Sequence, residues 1–382
     1  MWVRIPPEVL IIKSLRTMMY SLDEIGLIPA EISTIKHRGD VNPFVKSPFG
    51  GEKLPIFVSP MTCLLSAKNI CEFSRSKVEP IMPVRAGGWS RLRLPNGSEW
   101  CGWQAMTLEE FGHLFNACNA TDKVTNYVLI DVANGHMAEL FDRVMDAKQE
   151  YGDKLVVMVG NIANPSTYLD CCRAGIDYVR IGIGGGTGCT TSVQTGVHTS
   201  LPFILHGIRR AKYNWDHLIP VRGEDGTIVP KKVPLNEYLK FHHGVLTKVV
   251  ADGGVTTTSR AIKCLALGAD YVMMGKAFAA CEEAIGQVCA GSFGGGTTVP
   301  MHLYYGQSSE QGQIDRFGKV KSNPEGSSTY IPITTNLNEF TTKFEAALRS
   351  AMSYCNAKTL SEFIGKVQYE VMSPVEFDAY NK

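Results

Sequence analysis

Apolar residues along the chain gather in short runs separated by longer stretches of helical spacing. Three runs are Ile56-Phe57-Val58, Tyr127-Val128-Leu129-Ile130 and Leu155-Val156-Val157-Met158-Val159. Three more are Tyr178-Val179-Arg180-Ile181, Lys248-Val249-Val250-Ala251 and Tyr271-Val272-Met273-Met274. They are rich in β-branched and aromatic residues and nearly continuous in apolarity, as strands covered on both faces are in a parallel sheet. Each intervening stretch has room for a helix, so the pattern predicts repeated βα units. Two units resemble each other: Ala174-Gly175-Ile176-Asp177 before one strand parallels Leu267-Gly268-Ala269-Asp270 before another, and Gly182 and Gly275 follow the two strands. Repetition of one unit predicts an α/β fold of the closed (β/α)8 TIM-barrel kind, rather than an open sheet with two distinct halves.

Two segments break the rhythm. Residues 214–244 are polar and punctuated by Pro and Gly, with Arg222-Gly223-Glu224-Asp225-Gly226-Thr227 resembling a hairpin tip, and read as an insertion. Residues 307–328 are polar with little periodicity and read as a mobile flap or loop, since a long structureless loop in a compact domain is usually functional. Residues 1–21 read as an irregular N-terminal arm, and residues 22–382 as one catalytic barrel domain. Helical periodicity returns over Leu337–Ile364.

Composition narrows the function classes. With 382 residues, 44% hydrophobic and 20% charged, the chain fits a soluble globular protein whose core needs no disulfide staples. A formal net charge of +1 argues against general attraction to nucleic acid or an anionic membrane, so anionic ligands must be held by local geometry. No run of about 18 apolar residues predicts a membrane span. The 11 cysteines form no CxxC pair or zinc ribbon and suit a reducing compartment, which points to the cytoplasm.

The unusual residues lie where strands end, which is where barrel enzymes build their sites. Gly182-Ile183-Gly184-Gly185-Gly186-Thr187-Gly188-Cys189-Thr190-Thr191 packs five glycines in front of one cysteine. Inward carbonyls in such a loop can bind a monovalent cation, and inward N–H groups an anion. A free cysteine is most often a buried inert one, but this one sits among hydroxyls at a strand end. Asp252-Gly253-Gly254 and Gly275-Lys276 follow consecutive strands and precede helices, the arrangement of a barrel phosphate site. Asp252 then stands ready to accept from ribose hydroxyls, and Lys276 faces either phosphate or solvent.

These residues resemble the IMP dehydrogenase/GMP reductase family over about Leu22 to Met372. Leu22-Asp23-Glu24-Ile25-Gly26-Leu27-Ile28-Pro29-Ala30-Glu31 is similar to the family's opening segment, and Leu54 to Met61 to its first-strand loop. Gly182 to Thr191 resembles its catalytic loop, and Ala251 to Gly254 its ribose and phosphate site. The resemblance implies a purine nucleotide monophosphate as substrate, NADPH or NADH as cofactor, a K+ ion and a homotetramer. Within the family, reductases convert GMP to IMP and ammonia, whereas dehydrogenases oxidise IMP to XMP with NAD and carry an Arg-Tyr pair on a flap. Asp131-Val132-Ala133-Asn134-Gly135, Cys189-Thr190-Thr191, Tyr305-Gly306 followed by Ser308-Ser309, and Glu325-Gly326 are similar to the reductase pattern. Gln307 stands where the family has Met, Thr62 where an Asp is common, and Lys321-Ser322 where the reductase has Tyr-Arg.

Residue by residue, the resemblance implies that Cys189 is the nucleophile and that Thr191 with Glu325 relays protons. Carbonyls of Gly184, Gly186 and Cys189 would hold the cation. Ser59, Met61, Tyr305, Gly306, Gln307, Ser308, Ser309 and Gly326 would border the nucleotide, with Asp252, Gly253, Gly254, Gly275 and Lys276 on its ribose and phosphate. Asp131, Val132, Ala133, Asn134, Ile183 and Gly184 would border the cofactor. Three alternatives stay open: an IMP dehydrogenase lacking the regulatory module, a catalytically silent nucleotide-binding homologue, and a flavin-dependent barrel oxidoreductase.

Overall fold

A computed structural model describes residues 20–84, 93–117, 125–213, 217–222, 228–241, 244–293 and 297–373. Most of the expected N-terminal arm and the tip of the 214–244 insertion, Gly223 to Thr227, lie outside the described residues.

Eight parallel strands close into a barrel. They are β1 (Ile56–Val58), β2 (Glu79–Met82), β3 (Trp103–Met106), β4 (Asn126–Asp131), β5 (Leu155–Ile162), β6 (Tyr178–Ile181), β7 (Lys248–Ala251) and β8 (Tyr271–Met274). Neighbours in sequence are neighbours in space, and β8 pairs with β1 to close the ring, Val272 opposite Ile56. The six apolar runs all became strands. β2 and β3 carry Glu79, Pro80 and Gln104, which break up an apolar run.

Although both strand faces are covered, the faces differ. Val128 and Ile130, Val157 and Val159, and Val179 and Ile181 point out to the helices. Phe57, Leu129, Met158, Tyr178, Val250 and Tyr271 point into the barrel. At its N-terminal end Phe57 packs on Trp103, Tyr178 and Tyr271 with ring centroids 5.7, 6.0 and 5.1 Å away. The same alternation, carried upward, sends Asp131, Arg180 and Asp252 toward the C-terminal mouth. Helix Ala138–Tyr151 buries Leu140, Val144, Ala147 and Tyr151, a three-to-four-residue spacing.

The two rhythm-breaking segments are more ordered than their composition suggests. Between Leu201–Tyr213 and β7, strands His217–Arg222 and Ile228–Val233 pair antiparallel, followed by helix Leu235–Phe241. Strands Val288–Phe293, Thr297–Tyr305 and Ser328–Pro332 form a separate antiparallel sheet. Within 307–328, where little periodicity reads as loop, the chain forms helix Glu310–Phe317. Its buried residues are Gly312 and Gln313, so no apolar stripe marks it. Gln313 Oε1 instead accepts from the backbone of Lys321 and Ser322 at 2.9 and 3.0 Å. Near the chain ends, Ile25–Leu27 pairs with Tyr369–Val371. Among the described residues, no helix is long and apolar enough to cross a membrane, and the ten cysteines are free thiols.

Candidate active site

The glycine-rich loop leaves β6 through Gly182, whose φ is +116° and whose Cβ, if present, would lie 2.2 Å from the Asp252 carbonyl oxygen. Only glycine fits that conformation and that space. The loop ends at half-buried Cys189, just before the short helix Thr191–Thr195. Cys189 Sγ donates to Thr191 Oγ1 at 3.2 Å, and Thr191 Oγ1 donates to Glu325 Oε2 at 2.8 Å. The backbone holds this line in place. Thr190 N donates to the Glu325 carbonyl and Ser327 N to the Gly188 carbonyl, both at 2.9 Å. Glu325 N donates to the Ser308 carbonyl at 3.0 Å, tying in the segment after the Thr297–Tyr305 strand. A Cβ on Gly306 would lie 2.5 Å from the Gly188 carbonyl oxygen, and one on Gly326 would lie 2.6 Å from Ser309 N. Glycine is required at both for lack of room.

Gly253, Gly254, Gly275 and Lys276 line the same cavity from the ends of β7 and β8. Around Gly275, Tyr304 Oη, Met61 Sδ and Ser59 Oγ all lie within 3.3 Å of the point a Cβ would occupy. Burial pushes the Tyr304 phenol far above its ordinary pKa, so it stays a hydroxyl donor. No ion pair involves Lys276 among the described residues.

Between these features lies a charged chain. Arg180 donates from Nη1 to Asp131 Oδ1 and from Nη2 to Asp252 Oδ2, each at 2.8 Å. Arg316, from helix Glu310–Phe317, reaches Asp131 Oδ2 at 3.2 Å and donates to the Asp131 carbonyl at 2.7 Å. Asn161 Nδ2 donates to Asp252 Oδ2 at 2.9 Å. Burial alone would push the Asp131 carboxyl up, but the guanidiniums of Arg316 and Arg180 outweigh it and hold it below the usual carboxylate range. Burial likewise works against the Arg180 charge, and Asp252 with Asp131 more than restores it. Three buried atoms have no partner here: Nε of Arg180, Nε of Arg316 and Oε1 of Gln307.

The residues singled out by sequence converge closely. Cys189, Thr191 and Glu325 share the cavity with Ser59, Met61 and Asp252, with Gly306, Gln307 and Ser308, and with Asp131, Val132 and Ala133. Ile183, Gly184 and Gly186 line it as well. The Gly184 carbonyl accepts from Ser192 Oγ at 3.3 Å and the Gly186 carbonyl from Cys189 N at 3.0 Å. Asn134, Tyr305, Ser309 and Gly326 do not line the cavity. Asn134 Oδ1 accepts from His136 N at 3.1 Å, and Ser309 Oγ from Gly312 N at 3.1 Å, capping the helix. Tyr305 Oη donates to Asp315 Oδ2 at 2.5 Å.

Sequence reading missed Tyr304, Arg180, Thr256 and Arg316, all of which line the cavity, and it marked Gly160-Asn161 as a strand-end loop without giving Asn161 a role. One signal was available: Arg180 is a charge inside an otherwise apolar strand.

Comparison with known proteins agrees with this architecture. The family described as IMP dehydrogenase / GMP reductase domain matches residues 113–228 and 221–377. An inosine-5'-monophosphate dehydrogenase of Chlorobaculum tepidum is 31% identical over 325 residues, covering 78% of this chain and 58% of that protein. A GMP reductase of Enterobacter sp. (strain 638) is 28% identical over 251 residues, 64% of this chain and 60% of that protein. A GMP reductase of Klebsiella pneumoniae is 27% identical over 263 residues, 67% and 64%. The chain thus spans less than two thirds of the length of each of these relatives.

Proposed function

Because the chain belongs to the IMP dehydrogenase/GMP reductase family, we propose that it is an oxidoreductase that reductively deaminates a guanine nucleotide monophosphate, GMP or a close relative, to IMP and ammonia. The observation that carries this reading is the hydrogen-bonded line Cys189–Thr191–Glu325, whose donors all point from sulfur toward the carboxylate. Purine C2 in a guanine is electrophilic but bears an amine, which leaves only as ammonia and so needs a proton. The line can take the thiol proton through the Thr191 hydroxyl to Glu325 as sulfur bonds to C2. The same proton then returns to the amine as the C2–N bond breaks. Ammonia departs, and a thioimidate joins Cys189 to the base. The thiol proton accounts for the added hydrogen of ammonia, so the step balances.

A nicotinamide dinucleotide, when bound, supplies the hydride that replaces sulfur at C2. The residues fit such a group. Val132, Ala133 and Ile183 give the cavity an apolar wall, and the unpartnered Nε of Arg316 is a donor seeking an acceptor. Their part is to bind the ring and exclude water. Lys321-Ser322 stands in the region where the family's reductases carry Tyr-Arg beside the cofactor. The carbonyls of Gly184 and Gly186 each accept one hydrogen bond and keep a second lone pair, which suits them to a potassium ion together with the Cys189 carbonyl. Ser59, Tyr304, Lys276 and the Gly253-Gly254 turn are assigned to the phosphate, and Asp252 to the ribose.

The test is turnover. Incubation with GMP and NADPH should consume NADPH and release ammonia in equal amounts. Production of NADH from IMP and NAD, with none of the first reaction, would make the protein a dehydrogenase. Tight nucleotide binding without either reaction would make it a silent homologue.

A further inference from the structure

The phosphate turn is held from behind by a residue outside the cavity lining. Arg260 lies in helix Thr258–Leu267, whose N-cap Thr257 accepts from Arg260 N. Its guanidinium is gripped by Asp23 from the opening segment. Nε donates to Asp23 Oδ1 at 2.7 Å, and Nη2 donates to Asp23 Oδ2. That fork leaves Nη1 free to donate forward, to the Gly254 carbonyl at 3.0 Å and to Thr256 Oγ1 at 3.3 Å. The Gly254 carbonyl also accepts from Thr256 N at 3.0 Å.

A trans peptide is planar, with its C=O and N–H pointing in opposite directions. Fixing the Gly254 carbonyl toward Arg260 therefore aims the Val255 N–H away from Arg260. Val255 and Gly254 both line the cavity, and neither amide N–H has a protein acceptor among the described residues. Gly254 has a φ of +76°, and its missing Cβ would lie 2.9 Å from the Gly185 carbonyl oxygen, so the turn also abuts the loop that carries Cys189.

We propose that Arg260, oriented by Asp23, is a positioning residue that presets the Gly254-Val255 amides to receive the phosphate of the nucleotide. This deepens the functional reading above and rests on it. The Asp23–Arg260 side chains are 32% and 31% exposed, and a pair so placed adds little to folding, so its effect belongs to the turn it orients.

The experiment measures GMP and guanosine dissociation constants by calorimetry, and KM and kcat for GMP, in the full chain. Arg260→Met should weaken GMP binding about tenfold and leave guanosine within about twofold, with the loss in KM rather than kcat. Asp23→Asn should give a smaller loss of the same kind, about threefold, and Arg260→Lys should recover part of the binding. Melting temperature controls for folding, and Asp23→Asn serves if Arg260→Met does not fold. Wild-type GMP affinity in the variants would overturn the proposal, as would equal losses for GMP and guanosine. A wild-type protein that binds no purine nucleotide would instead remove the functional reading on which it rests.

Discussion

At the scale of single residues, the Cys189 sulfur, one hydroxyl and one carboxylate form a hydrogen-bonded line whose proposed duties are separable. Cys189→Ser keeps the shape but lacks a sulfur nucleophile. Turnover should fall about a thousandfold or more while nucleotide binding persists. Glu325→Gln keeps a hydrogen-bond acceptor for Thr191 but cannot hold the proton. Turnover should fall by about 10²- to 10⁴-fold, with KM much less affected. Equal activity in both variants and wild type would end the covalent route. At the barrel's far end a different carboxyl has no such duty. Glu79 is buried, with Oε1 unpartnered. Burial raises its pKa, only partly offset by Ser47 and Lys53. Between the ordinary glutamate pKa and the raised one, the folded chain therefore holds a proton that the unfolded chain has released. The folded state carries no penalty below the ordinary glutamate range and loses stability as pH rises toward the raised value. Glu79→Gln removes the titration. Its stability relative to wild type in urea unfolding should rise as pH increases from about 4 to about 8. A constant difference across that range would show that Glu79 does not titrate there.

At the scale of elements, the helix Glu310–Phe317 joins two parts of the site. Asp315 accepts from Thr62 Oγ1 at 2.8 Å and from Tyr305, while the next residue, Arg316, reaches Asp131 on β4. The helix has eight residues, too short to persist without its cap and its docking contacts. Ser309→Ala should cost about 1 kcal/mol locally. Hydrogen exchange should quicken over residues 310–317 while the barrel strands stay protected. Uniform protection would show that the cap is dispensable.

This helix also shows why some of the molecule was legible in sequence and some was not. Six barrel strands announce themselves because burial on both faces writes a nearly continuous apolar run, in which Arg180 is the one interior charge. β2 and β3 do not, because Glu79 and Gln104 interrupt theirs. The loop motifs around Cys189 and Asp252 are readable because close backbone approach demands glycine. Helix 310–317 is hidden because its buried face is polar and satisfied by main-chain partners that no periodicity reveals. Tyr304 and Tyr305 are adjacent in one strand and point to opposite sides, so strand register, which pairs Tyr304 with Thr329 and Tyr305 with Ser328, decides which reaches the cavity.

At the scale of the whole molecule, the barrel gathers its chemistry from distant stretches of chain. β1, β4, β5, β6, β7 and β8 all contribute at their C-terminal ends, and the Ser328–Pro332 strand begins three residues after Glu325. The single guanidinium of Arg180 spans Asp131, on the side assigned to the dinucleotide, and Asp252, on the side assigned to the sugar. One cation thus answers to two carboxylates, Asp131 and Asp252, that the proposed function assigns to different ligands. Whatever draws it toward one occupant alters what remains for the other, so the two should bind cooperatively or antagonistically, never independently. Thermodynamic linkage makes the factor the same in both directions, and about fivefold or more is expected. In Arg180→Lys, where a point charge replaces the fork, that mutual influence should fade toward unity.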